Sequence, residues 1–467
     1  MVKIGLEIHG YLLTNEKLFC RCKSEHGLKN SKPNMNICPT CTGQPGSKPL
    51  LPNKIAVDKI IQIALILGCK INNKLVFQRK HYDWADLPKG FQTTISGPHA
   101  IPVGEKGNFS GIKIREAHLE EDPAAWNPQT GEIDYNRSGS PLIEIVTEPD
   151  FENSEQVIEW LKKLIAVLGY VKSIDKKAGL KADVNVSIPK GERVEIKNIN
   201  SLKNIKTAIE YEIERQKKDL PINQETRMFN EKKGVTIKMR SKEQTADYRF
   251  ISEPDSPAIL IDKKRIEKIE KELPETPDEK LKKIIKKYKI DKKSAEVLTK
   301  KLDIVEFFEN IVEKVNPKIA VPWTTIELLR ILNYAKKELD EVDINPEHFI
   351  ELLKLIESRT ITELKAKEIL NKFIPKSFSV KEVTPKSLPL NLKINKPKII
   401  IEEIGIISKS ETEKICKQII KENSKAVEDY KEGKQEALNF LVGQVMKLSN
   451  KRADYKTARE ILVKELG

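Results

Sequence analysis

The sequence predicts an α+β protein, with an N-terminal domain built on an antiparallel sheet followed by α-helical middle and tail domains. Three observations predict it. Residues 2–9 place Val2, Ile4, Leu6 and Ile8 in alternation with Lys3, Gly5, Glu7 and His9, the period of a strand with one buried face. Residues 182–197 repeat that alternation on both sides of a Pro-Lys-Gly-Glu turn. From Thr276 onward the apolar spacing is helical. The expected domains are residues 1–275, 276–375 and 399–467, with a Pro-, Lys- and Ser-rich linker at 376–398.

A chain of 467 residues can bury several cores, and its net charge of +14, from 83 Lys and Arg against 69 Asp and Glu, favours a polyanionic partner such as nucleic acid. Dense lysine also suits heat-adapted proteins. No apolar run is long enough to span a bilayer, and the chain opens into a strand without a signal-peptide pattern, so a cytoplasmic location is expected.

The first strand carries Glu7 and His9 on its polar face, two residues apart. Cys20, Cys22, Cys38 and Cys41 follow as two tight pairs across a polar loop, the arrangement of a closed tetrahedral zinc site. Two disulfides would need an oxidising compartment, and four free thiols are the remaining alternative. Cys69 and Cys416 stand alone in helical patterns and read as buried small hydrophobes.

A helix is expected over 54–67, ended by Gly68. Lys80, His81 and Tyr82, then Lys89 after Asp86-Leu87-Pro88, put basic and aromatic residues on turns suited to phosphate or ribose. The strand over 111–122 ends in Glu120, Glu121 and Asp122, which repel one another and need cationic partners if buried. Arg137 lies in the loop before the strand over 141–148. Its Glu144 is a carboxylate in an apolar run and requires a partner. After a helix over 153–168, the hairpin sets Asp183, Asn185 and Ser187 beside Arg193, Glu195 and Lys197 on one side of the sheet. A helix capped near Ser201 runs to about 217, and strand- or turn-like segments around Arg227, Arg240 and Arg249 complete the domain.

Helix starts are expected at Thr276-Pro277 and Asn345-Pro346, and Ser410 with Glu413 reads as a capping box. Ala437, Leu441, Gln444, Val445 and Leu448 then form a mostly apolar stripe. No phosphate-binding glycine loop, zinc-protease motif or hydrolase nucleophile motif is present. Strand-borne acids, one or two histidines and surrounding Lys and Arg suit magnesium-assisted phosphoryl transfer from ATP.

Gly5-Leu6-Glu7-Ile8-His9, the paired cysteines, Lys80-His81-Tyr82, Asp86 to Gly90, His118 to Asp122 and Pro141 to Asp150 resemble the B-subunit family of the tRNA-dependent Glu/Asp amidotransferases. Glu195 to Ser201, Gln224 to Arg227, Asp247 to Asp255, Lys425 to Tyr430 and Phe440 to Met446 extend the resemblance over the whole chain. It implies a cradle-shaped N-terminal domain like glutamine synthetase and a helical tail that grips tRNA. The implied reaction phosphorylates the side-chain carboxylate of Asp or Glu misacylated onto tRNA(Asn) or tRNA(Gln), and ammonia then displaces phosphate. A partner amidase (A) subunit would supply ammonia from glutamine through a tunnel, and a small C subunit would complete a heterotrimer.

By this resemblance Glu7, His9, Glu120, Glu121 and Lys197 are expected to be catalytic, and Lys80, Lys89, Arg137, Asp183, Asn185 and Arg240 to bind the nucleotide. Magnesium is expected on Glu7, His9, Glu121 and Glu195, and structural zinc on the four paired cysteines. Three other readings stand beside it. One is the related archaeal E-type subunit, for whose inserted domain the chain leaves no room. The others are a non-catalytic zinc-stabilised tRNA scaffold and a ligase for a free amino acid.

Overall fold

The computed structural model describes residues 1–24, 31–175, 179–241, 248–380 and 404–467, with the side chains of Asn198, Arg240 and Ser241 outside the description. The chain divides into two compact units, Met1–Thr276 and Pro277–Gly467.

The first unit contains β1 (Lys3–Tyr11), β2 (Lys70–Ile71), β3 (Lys74–Leu75), β4 (Gln78–His81), β5 (Phe91–Thr94), β6 (Gly104–Phe109), β7 (Ile112–Glu121), β8 (Ala125–Trp126) and β9 (Ile133–Asp134). It continues with β10 (Pro141–Thr147), β11 (Leu180–Ser187), β12 (Val194–Asn200), β13 (Glu225–Asn230), β14 (Val235–Ser241), β15 (Arg249–Ser252) and β16 (Ile259–Leu260). Twelve strands form one sheet in the order β14-β13-β12-β11-β1-β10-β7-β5-β4-β15, with β6 beside β7 and β2 beside β6. The opening strand is therefore central. It is flanked by β10 and β11, both antiparallel to it.

The sheet is not purely antiparallel as expected, because β12 and β13 run parallel. A parallel pair needs a crossover, and the helix α3 (Leu202–Lys218) between those strands supplies it. With α1 (Lys54–Ile66) and α2 (Ser154–Val171), α3 covers one face of the sheet. Ile4, Leu6 and Ile8 of β1, Ile143 and Ile145 of β10, and Val184 and Val186 of β11 meet these helices in one core. Each helix start has a side-chain cap: Asn53 accepts from Ile55 N, Asn153 from Gln156 N and Ser201 from Asn204 N. Gly68, after α1, has φ +67°, and a Cβ there would sit 2.9 Å from the Asn108 carbonyl oxygen, so the turn requires glycine twice over. Ile8 is 1 % exposed at the sheet centre, and Ile8→Ala is expected to lower unfolding free energy by about 2–5 kcal/mol in a denaturant titration.

The second unit is helical. It begins with Pro277–Tyr288, and Pro346–Glu357 starts from an Asn345 cap with proline in the first turn, as the sequence suggests. Most of the expected linker lies outside the described residues. Its first part is packed: Ser377 is buried, its amide donates to the Asp343 carbonyl, and its hydroxyl accepts from Asn345 N.

The helices Lys409–Glu422, Ser424–Lys431, Gln435–Leu448 and Tyr455–Leu466 close over a core of Cys416, Leu438, Leu441, Val442, Val445 and Leu462. Two readings need correction here. The capping box uses Ser408 and Glu411, not Ser410 and Glu413, because Ser408 holds the extended backbone of a cap (ψ 157°). The buried stripe of Gln435–Leu448 is Leu438, Leu441, Val442, Val445 and Met446, one position round from that expected, which leaves Leu448 half exposed. Cys69 and Cys416 are buried, as expected of small hydrophobes. Among the described residues no helix is long and apolar enough to cross a membrane.

Candidate active site and metal centre

The face of the sheet opposite α1–α3 carries the polar alternates of the central strands. Pairing sets Glu7 opposite Asp183, His9 opposite Glu144, Glu144 opposite His118, and Asn185 opposite Glu195. Glu120, two residues beyond His118 on β7, belongs to the same face. Two groups of ligand atoms result. His9, Glu120 and Glu144 form one, and Glu7, Asp183 and Glu195 the other, with the atoms of each group within 4.8 Å of one another.

A bulge completes the second group. Ala182 pairs with Ile199 and Val184 with Ile196, so Lys197 and Asn198 together oppose the single residue Asp183. The bulge lets Ile196 and Ile199, three apart, both enter the core while Glu195 and Lys197 stay on the polar face. Lys197 Nζ donates to Asp183 Oδ2 at 2.8 Å and pairs with Glu195. Burial lowers the affinity of Lys197 for its proton, but Asp183 and Glu195 outweigh it and push the pKa up. Asn185 Nδ2 donates to Glu7 Oε1 at 3.1 Å. Burial, reinforced by Glu144, Glu195 and Asp183 against Lys197, raises the Glu7 carboxyl above its usual range.

In the first group Glu144 Oε2 lies 2.8 Å from His118 Nε2 and 3.6 Å from His9 Nε2. Burial opposes charge on His9, yet its hydrogen bond with Glu144 and the field of Glu144, Glu120 and Asp183 lift it to about 9. Burial alone would raise Glu144, but His118 and His9 hold it well below the carboxylate range. Burial and Glu144 push Glu120 up, against His9, His118 and Lys80. Such a face concentrates negative charge in a sheltered site, and a cation taken up on His9 would displace a proton.

The three consecutive acids at the end of β7, Glu120, Glu121 and the following Asp122, are all buried and separate completely. Glu120 joins the histidine group, while Glu121 turns away to pair with Lys89 and accept from Thr93 N at 3.1 Å. Asp122 accepts from Tyr11 Oη at 2.6 Å and faces Arg137 Nε at 3.0 Å. Of the four residues expected to share magnesium, Glu7, His9 and Glu195 thus lie on one face and Glu121 does not, since neighbouring strand residues point to opposite sides. Lys89 stands with Glu121, beside a cavity of about 220 Å³ also lined by Arg79, Phe91, Thr93 and Glu253. Arg137 is engaged by Asp122 and by the carbonyls of Pro123 (3.0 Å) and Ala124 (2.6 Å), contacts that tie loops together. Lys80 is on the acid-bearing side, close enough to act on Glu120. Arg240 pairs through its backbone with Thr226, and its side chain lies outside the described residues.

His118 and Glu144 were not among the expected site residues. The signal for Glu144 was its need for a partner in an apolar strand; that for His118 was its parity with Glu120.

The sulfurs of Cys20, Cys22, Cys38 and Cys41 also gather within 4.8 Å, with Cys38 and Cys41 Sγ 3.9 Å apart. Four thiolates around zinc at about 2.3 Å stand about 3.8 Å from each other, so this spacing fits a tetrahedral metal. The buried Lys17 Nζ reaches Cys41 Sγ at 3.5 Å and the Tyr135 carbonyl at 3.1 Å. Hydrogen bonding from Cys20, then from Cys38 and the charge of Lys17, brings the Cys41 thiol down to about 5 despite burial.

Residues 2–267 match the family described as the GatB/GatE catalytic domain, and residues 306–466 match the GatB domain family. The chain is 43% identical to a Methanocaldococcus jannaschii protein named as the B subunit of aspartyl/glutamyl-tRNA(Asn/Gln) amidotransferase, over all of this chain and 98% of that one. Proteins of the same name from Methanothermobacter thermautotrophicus and Methanosphaera stadtmanae are 42% and 40% identical, each over 99% of both chains. These end-to-end matches to B subunits do not favour the E-type alternative. With both family domains in order along its length, the chain belongs to the B-subunit family of the tRNA-dependent amidotransferases.

Proposed function

We propose that this chain performs the ATP-dependent half of a transamidation, activating the side-chain carboxylate of Asp or Glu carried on tRNA(Asn) or tRNA(Gln). One observation carries the reading: two triads, His9–Glu120–Glu144 and Glu7–Asp183–Glu195, delivered to one sheet face by five strands distant in sequence. Sheltered carboxylates are costly, and a scaffold that only bound tRNA would gain nothing from gathering five of them, two buried, around a histidine.

Those six residues would hold magnesium, which supplies charge neutralisation between the carboxylates and the phosphates of ATP. Lys197, fixed between Asp183 and Glu195, presents a cation to the phosphoryl oxygens, and Asn185 keeps Glu7 in register. In the reaction a carboxylate oxygen of the aminoacyl group attacks the γ-phosphorus and ADP leaves. Ammonia then attacks the acyl carbon, phosphate leaves, and the nitrogen loses a proton. Glutamine hydrolysis is assigned to a partner amidase within a heterotrimer, in keeping with the lack of a hydrolase nucleophile motif in this chain. The helical tail supplies tRNA affinity.

The test is amidation of misacylated tRNA with ammonium chloride replacing glutamine. Product and ADP should form together and only with ATP and a divalent cation present. Amidation without ATP consumption would overturn the reading. For the cysteine cluster, elemental analysis should find about one zinc per chain, and Cys38→Ser should release it and lower Tm.

A further inference from the structure

Five aromatic side chains near the acid-bearing face take no part in the hydrophobic core. β4 and β15 set Lys80 opposite Phe250. Tyr248 lies between Phe250 and Tyr82, with ring centroids 6.2 and 5.7 Å away. The ammonium of Lys80 stands 4.8 Å over the Tyr248 ring and 5.8 Å from that of Tyr82. Two residues beyond Tyr82, Trp84 meets Trp126 edge-on at 5.7 Å and is 52% exposed. The loops bearing these tryptophans are tied by Ala124 N donating to the Asp86 carbonyl at 2.9 Å.

This cluster adjoins the site. Lys80 is paired with Phe250 on one side and Gln92 on the other, and Thr94, two residues beyond Gln92, is paired with Glu120, so Lys80, Phe250 and Glu120 share one face. Tyr82 is raised by burial and by Asp86 and Glu120, and Lys80 acts on Glu120 in turn. Trp84, edge-on to a second indole, leaves about half of its side chain open to solvent and so to a stacked base. The Lys80 ammonium sits at the Tyr82 and Tyr248 rings, where the phosphate beside a stacked base would meet it. Aromatic faces interleaved with a cation are what single-stranded nucleic acid needs, because every base has a π-face and every linkage a charge.

We infer that Tyr82, Trp84, Trp126 and Tyr248 form a stacking platform, with Lys80, for the unpaired 3′-terminal bases of the tRNA substrate. The inference rests on the function proposed above. The aminoacyl ester is on the terminal ribose, so those bases must lie beside the acids that act on the side chain. Two ring pairs, Tyr82 with Tyr248 and Trp84 with Trp126, offer more than one stacking step, whereas the adenine of ATP needs only one.

The test uses the intact amidotransferase complex and the variants Trp84→Ala, Trp84→Phe and Tyr248→Leu. Trp84→Ala should raise KM for misacylated tRNA roughly 5- to 100-fold, the range for losing one base stack, with KM for ATP unchanged. Trp84→Phe should restore most of the loss. Separately, a short single-stranded RNA ending in CCA should quench the fluorescence of the full chain, and the quenching should fall in Trp84→Ala. A rise in KM for ATP alone, quenching by an ATP analogue but not by the RNA, or no change in either readout would overturn the platform. Normal ATP-dependent amidation alongside such a result would leave the proposed function standing. Loss of amidation in the unaltered complex would instead remove that reading, and the RNA quenching would still decide the platform.

Discussion

Replacing Glu7 by Gln is expected to cut ATP-dependent amidation with free ammonia by about 10²–10³-fold, the usual effect of deleting one preorganised electrostatic group, while Tm stays level or rises. The two halves have one cause. Burial, Glu144, Glu195 and Asp183 raise the Glu7 carboxyl in the folded chain, so its ionised form is less favourable there than in the unfolded chain. A carboxylate with a raised folded pKa opposes folding above its unfolded pKa, and that opposition persists at neutral pH. Glutamine removes it. The amide oxygen of Gln can still accept from Asn185, so the local geometry survives. Loss of activity without loss of stability is the signature of a site held against its own folding preference. Paired steady-state assays and thermal melts check it. A Glu7→Gln chain that keeps activity, or loses it only through unfolding, contradicts the account.

Lys197→Met is expected to do the reverse to stability. Lys197 is held between Asp183 and Glu195, and Asp183 is buried. Removing one partner of a fully buried ion pair costs about 3–5 kcal/mol; with a third of Lys197 exposed, the discounted expectation is about 2–3 kcal/mol. Activity should fall with it, since the phosphoryl oxygens lose a fixed positive charge. Magnesium should then raise the Tm of Lys197→Met more than that of the unaltered chain, because the ion replaces the missing charge. Melts with and without magnesium, in both chains, measure this directly. Equal shifts in the two would place the ion elsewhere.

Much of this site was legible in the sequence because a strand with a buried face declares its polar face by alternation. Glu7, His9, Asp183, Asn185, Glu195 and Lys197 could be assigned to one side from parity alone, and pairing brings them together. Glu121 was expected beside Glu7, His9 and Glu195, while the backbone sends it to the face opposite Glu120, a neighbour-by-neighbour difference that a shared motif does not show. Arg137 was expected at the nucleotide from the resemblance; its engagement by Asp122 and two carbonyls depends on loop closure that no local pattern encodes. The bulge at Lys197–Asn198 had a trace, the spacing of Ile196 and Ile199, which breaks alternation. The parallel β12–β13 pair was hidden because a helix between two strands fits either hand of pairing until the sheet order is known. In the tail, two overlapping Ser-x-x-Glu patterns left the start of Lys409–Glu422 ambiguous by two residues.

The central claim is that residues from five strands make two cation-binding groups on one sheet face for splitting ATP. Anomalous diffraction from crystals grown with manganese and a non-hydrolysable ATP analogue tests it most directly. The account predicts manganese about 2.1 Å from carboxylate oxygens of Glu7, Asp183 or Glu195 and of Glu120 or Glu144, bridged to the analogue's phosphates. Manganese and analogue bound together away from this face, with these carboxylates bare, would contradict it.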